Sequence, residues 1–73
     1  MAIQLIEILA ENLQYFRRER GFTQKQIALM VGVSFQQVQK YEQGKNRIPV
    51  DKLYLLAQVY QLSMDDFFIG RGC

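Results

Sequence analysis

TQKQIALMVGVSFQQVQKYEQGKNRIP, residues 23–49, is the stretch that decides the fold, because it contains two helix-start signals. Thr23 with Gln26, and Ser34 with Gln37, have the spacing of a capping box. In that motif the hydroxyl accepts a backbone N–H three residues on, and the glutamine accepts the N–H of the cap residue. A helix is therefore predicted to begin directly after each cap.

A glycine separates the two predicted helix starts. Gly32 can adopt a positive φ without a Cβ clash, so we expect it to end the first helix sharply. The helices then begin near Gln24 and Phe35, and the connection from Gly32 to Ser34 is about as long as the three- to four-residue turn of a helix-turn-helix. This pattern predicts a helix-turn-helix over about residues 23–43.

The second helix has two chemically different faces when its residues are placed about 100° apart on a wheel. Val38, Tyr41 and Glu42 lie on one side. The opposite side is polar and mostly uncharged: Gln36, Lys40 and Gln43, flanked by Gln37 and Gln39. Glutamine pairs well with adenine, and lysine donates to guanine. An exposed helix face is commonly polar for solvation alone, and the turn in front of this helix is what favours a DNA-reading role.

The segment GVSFQQVQKYEQGKNRI, residues 32–48, resembles the recognition half of the lambda-repressor/Cro-like (XRE-type) helix-turn-helix family of bacterial and phage regulators. The resemblance extends from about Leu9 to Phe68. The matching positions are Gln24, Ala28, Gly32, Val38 and the segment EQGKNRIP at 42–49. It implies an all-α fold, a compact five-helix lambda-repressor-like DNA-binding domain over residues 1–73, in which helices 2 and 3 form the helix-turn-helix.

The resemblance also implies roles for individual residues. Positions expected to meet base edges are Phe35, Gln36, Gln37 and Lys40. Positions expected near phosphates are Thr23, Gln24, Gln43, Lys45, Asn46 and Arg47. Gln24 is further expected to brace the amide of Gln36. Phe35 departs from the polar residue often found at its position, which leaves two roles open: contact with a thymine methyl, or packing within the motif.

Arg17 and Glu42 match positions that the family often joins by an ion pair. We expect the pair to hold the second motif helix against helix 1. The alternative is two independently solvated charges, and exposed pairs contribute only about 0–1 kcal/mol. The pair therefore matters only if it is partly buried.

Charge is unevenly distributed along the chain, whose formal net charge is only +2. Residues 17–47 contain seven basic side chains and two acids, Glu19 and Glu42. The basic residues are Arg17, Arg18, Arg20, Lys25, Lys40, Lys45 and Arg47. The remainder of the chain is net negative, so positive charge is concentrated around the motif, as expected for a polyanionic partner such as double-stranded DNA.

The flanking segments have the pattern of a helical scaffold. Ile6, Leu9, Leu13 and Phe16 recur at helical spacing and predict a first helix that ends at Gly21. Pro49 can open a fourth helix with a buried stripe: Leu53, Leu56, Ala57 and Tyr60. Ser63 and Asp66 suggest the cap of a short fifth helix. Phe67, Phe68, Ile69 and the edge of the fourth helix are the expected homodimer contact.

Composition argues against several other classes of protein. Histidine is absent and Cys73 is the single cysteine, so neither an intrachain disulfide nor a zinc site is expected, and no cofactor or enzyme activity is predicted. The chain has no apolar run of membrane-spanning length and no N-terminal signal pattern, so we expect no membrane association and a cytoplasmic protein.

These observations predict a sequence-specific, double-stranded DNA-binding transcriptional regulator, expected to be a repressor that binds a palindromic operator as a homodimer. No separate effector-binding domain is expected, so regulation would depend on protein concentration or on a partner protein. The alternative is a protein-interaction module with the same fold, such as an antitoxin or a phage inhibitor. The sequence does not distinguish among a phage repressor, a restriction controller and an antitoxin.

Overall fold

The computed structural model describes residues 5–70, so Cys73 lies outside the described residues. Residues 5–70 form four α-helices and one C-terminal 3₁₀ helix, without a strand. The elements are α1 (Leu5–Glu19), α2 (Gln24–Val31), α3 (Phe35–Glu42), α4 (Val50–Tyr60) and the 3₁₀ helix (Met64–Phe68). The all-α prediction is confirmed. No helix in this part of the chain is long and apolar enough to cross a membrane.

The fifth element is a 3₁₀ helix, which differs in type from the expected α-helix. It has five residues, and the chain is already extended at Ile69, with φ −88° and ψ 122°. Its start is capped as predicted, because the Asp66 carboxylate accepts the Ser63 N–H at 2.9 Å. So short a segment leaves little room for the longer-range α-helical hydrogen bonds, which the tighter 3₁₀ pattern does not need.

Both motif helices begin where the caps predict. The Thr23 hydroxyl accepts the Gln26 N–H at 3.1 Å, and the Gln26 side chain accepts the Thr23 N–H at 2.8 Å, which completes a capping box. At the second start the Ser34 hydroxyl accepts the Gln37 N–H at 3.0 Å. The return bond from the Gln37 side chain is not among the hydrogen bonds of residues 5–70. Of the two motif helices, only α2 therefore begins with a complete capping box.

Gly32 ends α2 as predicted. Its φ of 75° and ψ of 37° place it in the left-handed region, where a Cβ would be strained. The N–H groups of Gly32 and Val33 both donate to the Ala28 carbonyl, at 2.9 and 3.1 Å. The turn thus uses a carbonyl that the helix end would otherwise leave unpaired.

The core contains an aromatic cluster that joins both ends of the chain. The Phe16 and Phe67 rings meet edge-on, with centroids 5.9 Å apart, and Tyr60 packs beside Phe67. Phe67 is 0% exposed, so its expected role as a dimer contact is wrong: the ring is occupied inside the protein. Phe68 and Ile69 remain exposed.

A buried asparagine holds the C-terminal segment against α1. Asn12 is 1% exposed, and its Nδ2 donates to the carbonyls of Phe67 at 2.7 Å and Ile69 at 2.9 Å. Its Oδ1 is buried with no hydrogen-bond partner among residues 5–70. Asn12 interrupts the apolar stripe of helix 1 between Leu9 and Leu13, which is the sequence signal for a buried polar role at this position.

Candidate nucleic-acid interface

The outer face of α3 is polar and accessible, as its wheel predicts. Val38 and Tyr41 are buried in the core. Gln36, Lys40 and Gln43 are exposed, while Phe35, Gln37 and Gln39 are half-buried. The four residues expected to read bases, Phe35, Gln36, Gln37 and Lys40, therefore all retain accessible surface on one helix.

The residues expected near phosphates lie at the two ends of the motif. Thr23 and Gln24 stand at the start of α2, where Thr23 is exposed and Gln24 half-buried. The others follow α3 and are all exposed: Gln43, Lys45, Asn46 and Arg47. The loop after α3 folds back, since the Lys45 N–H donates to the Lys40 carbonyl at 3.0 Å, and Ile48 is buried below it.

The Arg17–Glu42 pair is present and largely removed from solvent. Arg17 Nε donates to Glu42 Oε2 at 2.6 Å, and Arg17 Nη2 donates to Glu42 Oε1 at 3.0 Å. The two side chains are only 10% and 4% exposed. Arg17 Nη1 also donates to the Phe22 carbonyl at 2.9 Å. This bidentate geometry fixes the end of α3 against α1.

Gln24 extends this ion pair into α2. Its Nε2 donates to Glu42 Oε1 at 2.9 Å, so the expected brace to Gln36 is not formed: the Gln24 amide is held by a carboxylate instead. An ionised acceptor makes a stronger hydrogen bond than a neutral amide does. Glu42 consequently links all three of the first helices, α1 through Arg17 and α2 through Gln24.

Tyr60 lies close to the same charges. Burial of the Tyr60 phenol raises its pKa well above the ordinary value of 10.0, and the Glu42 carboxylate raises it further, while Arg17 and Arg20 oppose the shift. The guanidinium of Arg20 lies 5.3 Å from the centroid of the Phe16 ring and 5.7 Å from that of Tyr60. Its Nε donates to the Tyr60 carbonyl at 2.9 Å. Arg20 therefore belongs to the scaffold.

Both acids of the basic stretch are used in ion pairs. Glu42 binds Arg17, and Glu19 Oε1 lies 2.9 Å from Arg20 Nη1. The other five basic side chains of the stretch form no salt bridge within residues 5–70: Arg18, Lys25, Lys40, Lys45 and Arg47. These five supply the net positive charge around the motif, which is available to an anion.

Lys25 makes a contact that sequence reasoning missed. Its Nζ lies 5.6 Å from the centroid of the Phe35 ring, so an ammonium from the start of α2 covers the first residue of α3. One signal in the sequence was available: Lys25 directly follows Gln24, which was expected near a phosphate. The first helical turns of α1 and α4 each contain one acidic side chain, whereas those of α2 and α3 contain none.

The chain is similar to a family and to several individual proteins. A family model described as "Helix-turn-helix" matches residues 13–67. A transcriptional regulator in the ATPase CF(0) region of Rhodospirillum rubrum is 49% identical over 51 residues, covering 67% of this chain and 47% of the relative. An HTH-type transcriptional regulator of Rickettsia prowazekii is 36% identical over 69 residues, covering 93% and 53%. The chain thus spans about half the length of these relatives.

Solved structures share the fold. The restriction-modification controller protein C.AhdI from Aeromonas hydrophila matches with a TM-score of 0.79 at 20% identity, over 90% of this chain and 98% of that one. A transcriptional regulator from Listeria innocua matches with a TM-score of 0.79 at 30% identity, over 89% and 62%. The family match over residues 13–67 and the Rickettsia relative, 36% identical over 93% of this chain, show that the chain belongs to the lambda-repressor/Cro-like helix-turn-helix family of DNA-binding transcriptional regulators.

Proposed function

We propose that this protein is a sequence-specific transcriptional repressor that binds double-stranded DNA with α3 in the major groove. The observation that carries the proposal is the contrast between the two faces of α3. The inner face is fixed by core packing and by the Glu42 hydrogen bonds, and the outer face presents accessible amides and a lysine. Base readout requires hydrogen-bond donors and acceptors on a helix that is held in a fixed position.

Base reading is assigned to Gln36, Gln37 and Lys40, with Phe35 contributing through a thymine methyl or through packing alone. Phosphate contacts are assigned to the two ends of the motif: Thr23, Gln24, Gln43, Lys45, Asn46 and Arg47. All six retain accessible surface, with Gln24 half-buried and the other five exposed. Phosphate contacts set position and affinity, whereas contacts to base edges set sequence.

The repressor is proposed to act as a homodimer on a palindromic operator. An apolar groove between the start of α1, the start of α4 and the 3₁₀ helix supports a second copy as its occupant: Leu5, Val50 and Phe68 line it and are all exposed. Two copies related by a twofold axis would place two α3 helices on half-sites about one DNA turn apart. A single α3 reads too few bases to select a site in a genome.

Selection from a pool of randomised duplexes at two salt concentrations tests this proposal. An enriched, roughly palindromic motif, bound with an affinity that falls steeply with salt, is the expected result. The log–log slope should be about −0.9 for each neutralised phosphate. Salt-dependent binding without an enriched motif would reject sequence reading, and the absence of binding would reject DNA as the partner.

A second candidate function, a protein-interaction module, is favoured by the same apolar groove and by Leu29, which is 86% exposed on α2. Here the groove would hold a different protein, as in an antitoxin or a phage inhibitor. A stoichiometric protein that co-purifies with the chain, together with no enriched duplex, would support this candidate over the repressor.

A further inference from the structure

Lys25 and Phe35 join the starts of the two motif helices. Lys25 is the second residue of α2, and Phe35 is the first residue of α3. The Lys25 Nζ lies 5.6 Å from the centroid of the Phe35 ring, which is within the range of a cation–π interaction. The contact therefore places an ammonium near the point where both helices begin.

The two side chains differ in freedom. Phe35 is half-buried, so its ring is held by the motif, whereas Lys25 is exposed. A free lysine side chain carries about 2 kcal/mol of rotamer entropy. A ring that already holds the ammonium reduces the entropy lost when that ammonium binds an anion. Phe35 thus prepares Lys25 for binding without itself carrying charge.

Helix stability does not explain a lysine at this position. A cation in the first turn opposes the helix dipole, and α2 has no acidic residue in its first turn to offset it. Lys25 also forms no salt bridge within residues 5–70. Within residues 5–70 no carboxylate pairs with its charge, so an anion from outside the protein can do so.

We propose that Lys25 is a DNA-phosphate contact and that Phe35 is its positioning residue; this inference rests on the proposed function. In a helix-turn-helix the first motif helix crosses the DNA backbone, while the start of the recognition helix contacts base edges. An ammonium held between these two helix starts lies at the rim of the groove, where phosphates line the DNA. Phe35 then serves the interface by packing under Lys25 and not by reading a thymine.

The first part of the test measures affinity for the selected operator over a range of salt for wild type, K25M and K52M. K25M should make the log–log slope shallower by about 0.9, the value for one phosphate, and leave base preference unchanged. Lys52 is the matched control. Its Nζ lies 3.6 Å from where a Cβ on Gly32 would be, at the opposite end of α2, so K52M should leave the slope unchanged.

The second part tests the positioning role with a double-mutant cycle. F35L should lower operator affinity about two- to fivefold, the equivalent of one exposed cation–π contact. F35L should cost nothing further in the K25M background, because the ammonium that the ring holds is then gone. F35Y should restore wild-type affinity, since it keeps the aromatic face. Thermal melts of each variant confirm that the fold is retained.

The outcomes separate this inference from the proposed function. Absence of salt-dependent operator binding by the wild type rejects both. Wild-type binding with an unchanged K25M slope rejects only the Lys25 contact, as does an equal loss in K52M, because the slope would then follow net charge. Independent, additive effects of F35L and K25M reject the positioning role of Phe35.

Discussion

Glu42 accepts three hydrogen bonds through one carboxylate, two from Arg17 and one from Gln24. Its side chain is only 4% exposed, so water can contribute little to stabilising the carboxylate charge. The attraction within a buried pair is largely offset by the cost of removing both charges from water, whereas loss of one partner leaves the other charge buried and alone. If Glu42 were removed, the Arg17 guanidinium would be the charge left buried without its partner.

Substitution of Glu42 with alanine should lower the free energy of unfolding by about 3–5 kcal/mol, because the buried Arg17 guanidinium loses its counter-charge. Urea denaturation measures this change. E19A is the matched control, since its ion pair with Arg20 is exposed and should contribute no more than about 1 kcal/mol. An E42A protein of wild-type stability with an altered base preference would contradict the structural role.

Gln36 is exposed near the start of α3, the part of the helix that the proposed function assigns to base edges. Q36A should relax base preference at one operator position and weaken binding there by about 1–3 kcal/mol. Selection on a randomised-site panel, repeated with the variant, measures both effects. Q58A is the control, because Gln58 is an exposed glutamine on α4. Unchanged preference in Q36A would remove it from the set of readers.

At the scale of the helices, the ends of α2 and α4 use the same backbone geometry with different residues. α2 ends at Gly32, while α4 ends at Gln61, with φ 58° and ψ 49°. Gln61 is the only residue other than glycine with positive φ among residues 5–70. The left-handed conformation costs an L-residue about 1–2 kcal/mol, part of which glycine avoids.

Q61G should therefore stabilise the protein by about 0.5–1 kcal/mol, a gain in melting temperature of about 2–8 °C. Calorimetry measures the shift. The same change at Gln58, inside α4, should lower stability by about 1 kcal/mol, because glycine adds conformational entropy to the unfolded chain. It also removes the exposed hydrogen bond from Gln58 Nε2 to the Tyr54 hydroxyl. A lower melting temperature for Q61G would mean that the Gln61 side chain makes a stabilising interaction.

Tyr60 makes the stability of the whole molecule depend on pH in the alkaline range. Folding raises the pKa of its phenol above 10.0, so below that pH the phenol is neutral in both states and does not change the free energy of unfolding with pH. Above it the phenol ionises in the unfolded chain alone, and the free energy of unfolding falls. The free energy of unfolding should fall by up to about 1.4 kcal/mol per pH unit. The free energy of unfolding of wild type should therefore fall more steeply than that of Y60F between about pH 9 and 11; parallel curves would refute this.

The apolar groove bears on the assembly of whole molecules. F68E places a carboxylate on a residue that lines this groove, and should raise the dissociation constant of the proposed dimer at least about tenfold. Sedimentation velocity over a concentration series measures the change. L29E adds the same charge to an exposed apolar residue of α2 outside the groove and should leave assembly unaltered. Unchanged assembly of F68E would place the interface elsewhere, and equal weakening by both variants would show that the effect follows the added charge and not the groove.

Local signals made most of the fold predictable. Thr23, Ser34 and Gly32 act through backbone atoms a few residues away, so their effects can be read from spacing alone. Long-range packing could not be read in this way. Phe67 and Phe68 are adjacent aromatics, and only the positions of Phe16 and Tyr60 decide which of the two is buried.

The candidate site was also predictable where it depends on local pattern and not where it depends on long-range packing. The outer face of α3 followed from helical periodicity, and the wheel separated Gln36 and Lys40 from the buried Val38. The partner of Gln24 could not be predicted, because it depends on where a carboxylate from the far end of α3 comes to rest. The Lys25–Phe35 contact likewise depends on how the two helices cross.

The hydrogen bonds of Asn12 have a consequence for how such proteins can diversify. Its amide binds the main-chain carbonyls of Phe67 and Ile69, a group that every amino acid carries. Mutations that replace the exposed side chains of Phe68 and Ile69 therefore leave this attachment intact. Descendants of one ancestor can therefore vary the chemistry of this surface while the C-terminal segment stays attached to α1.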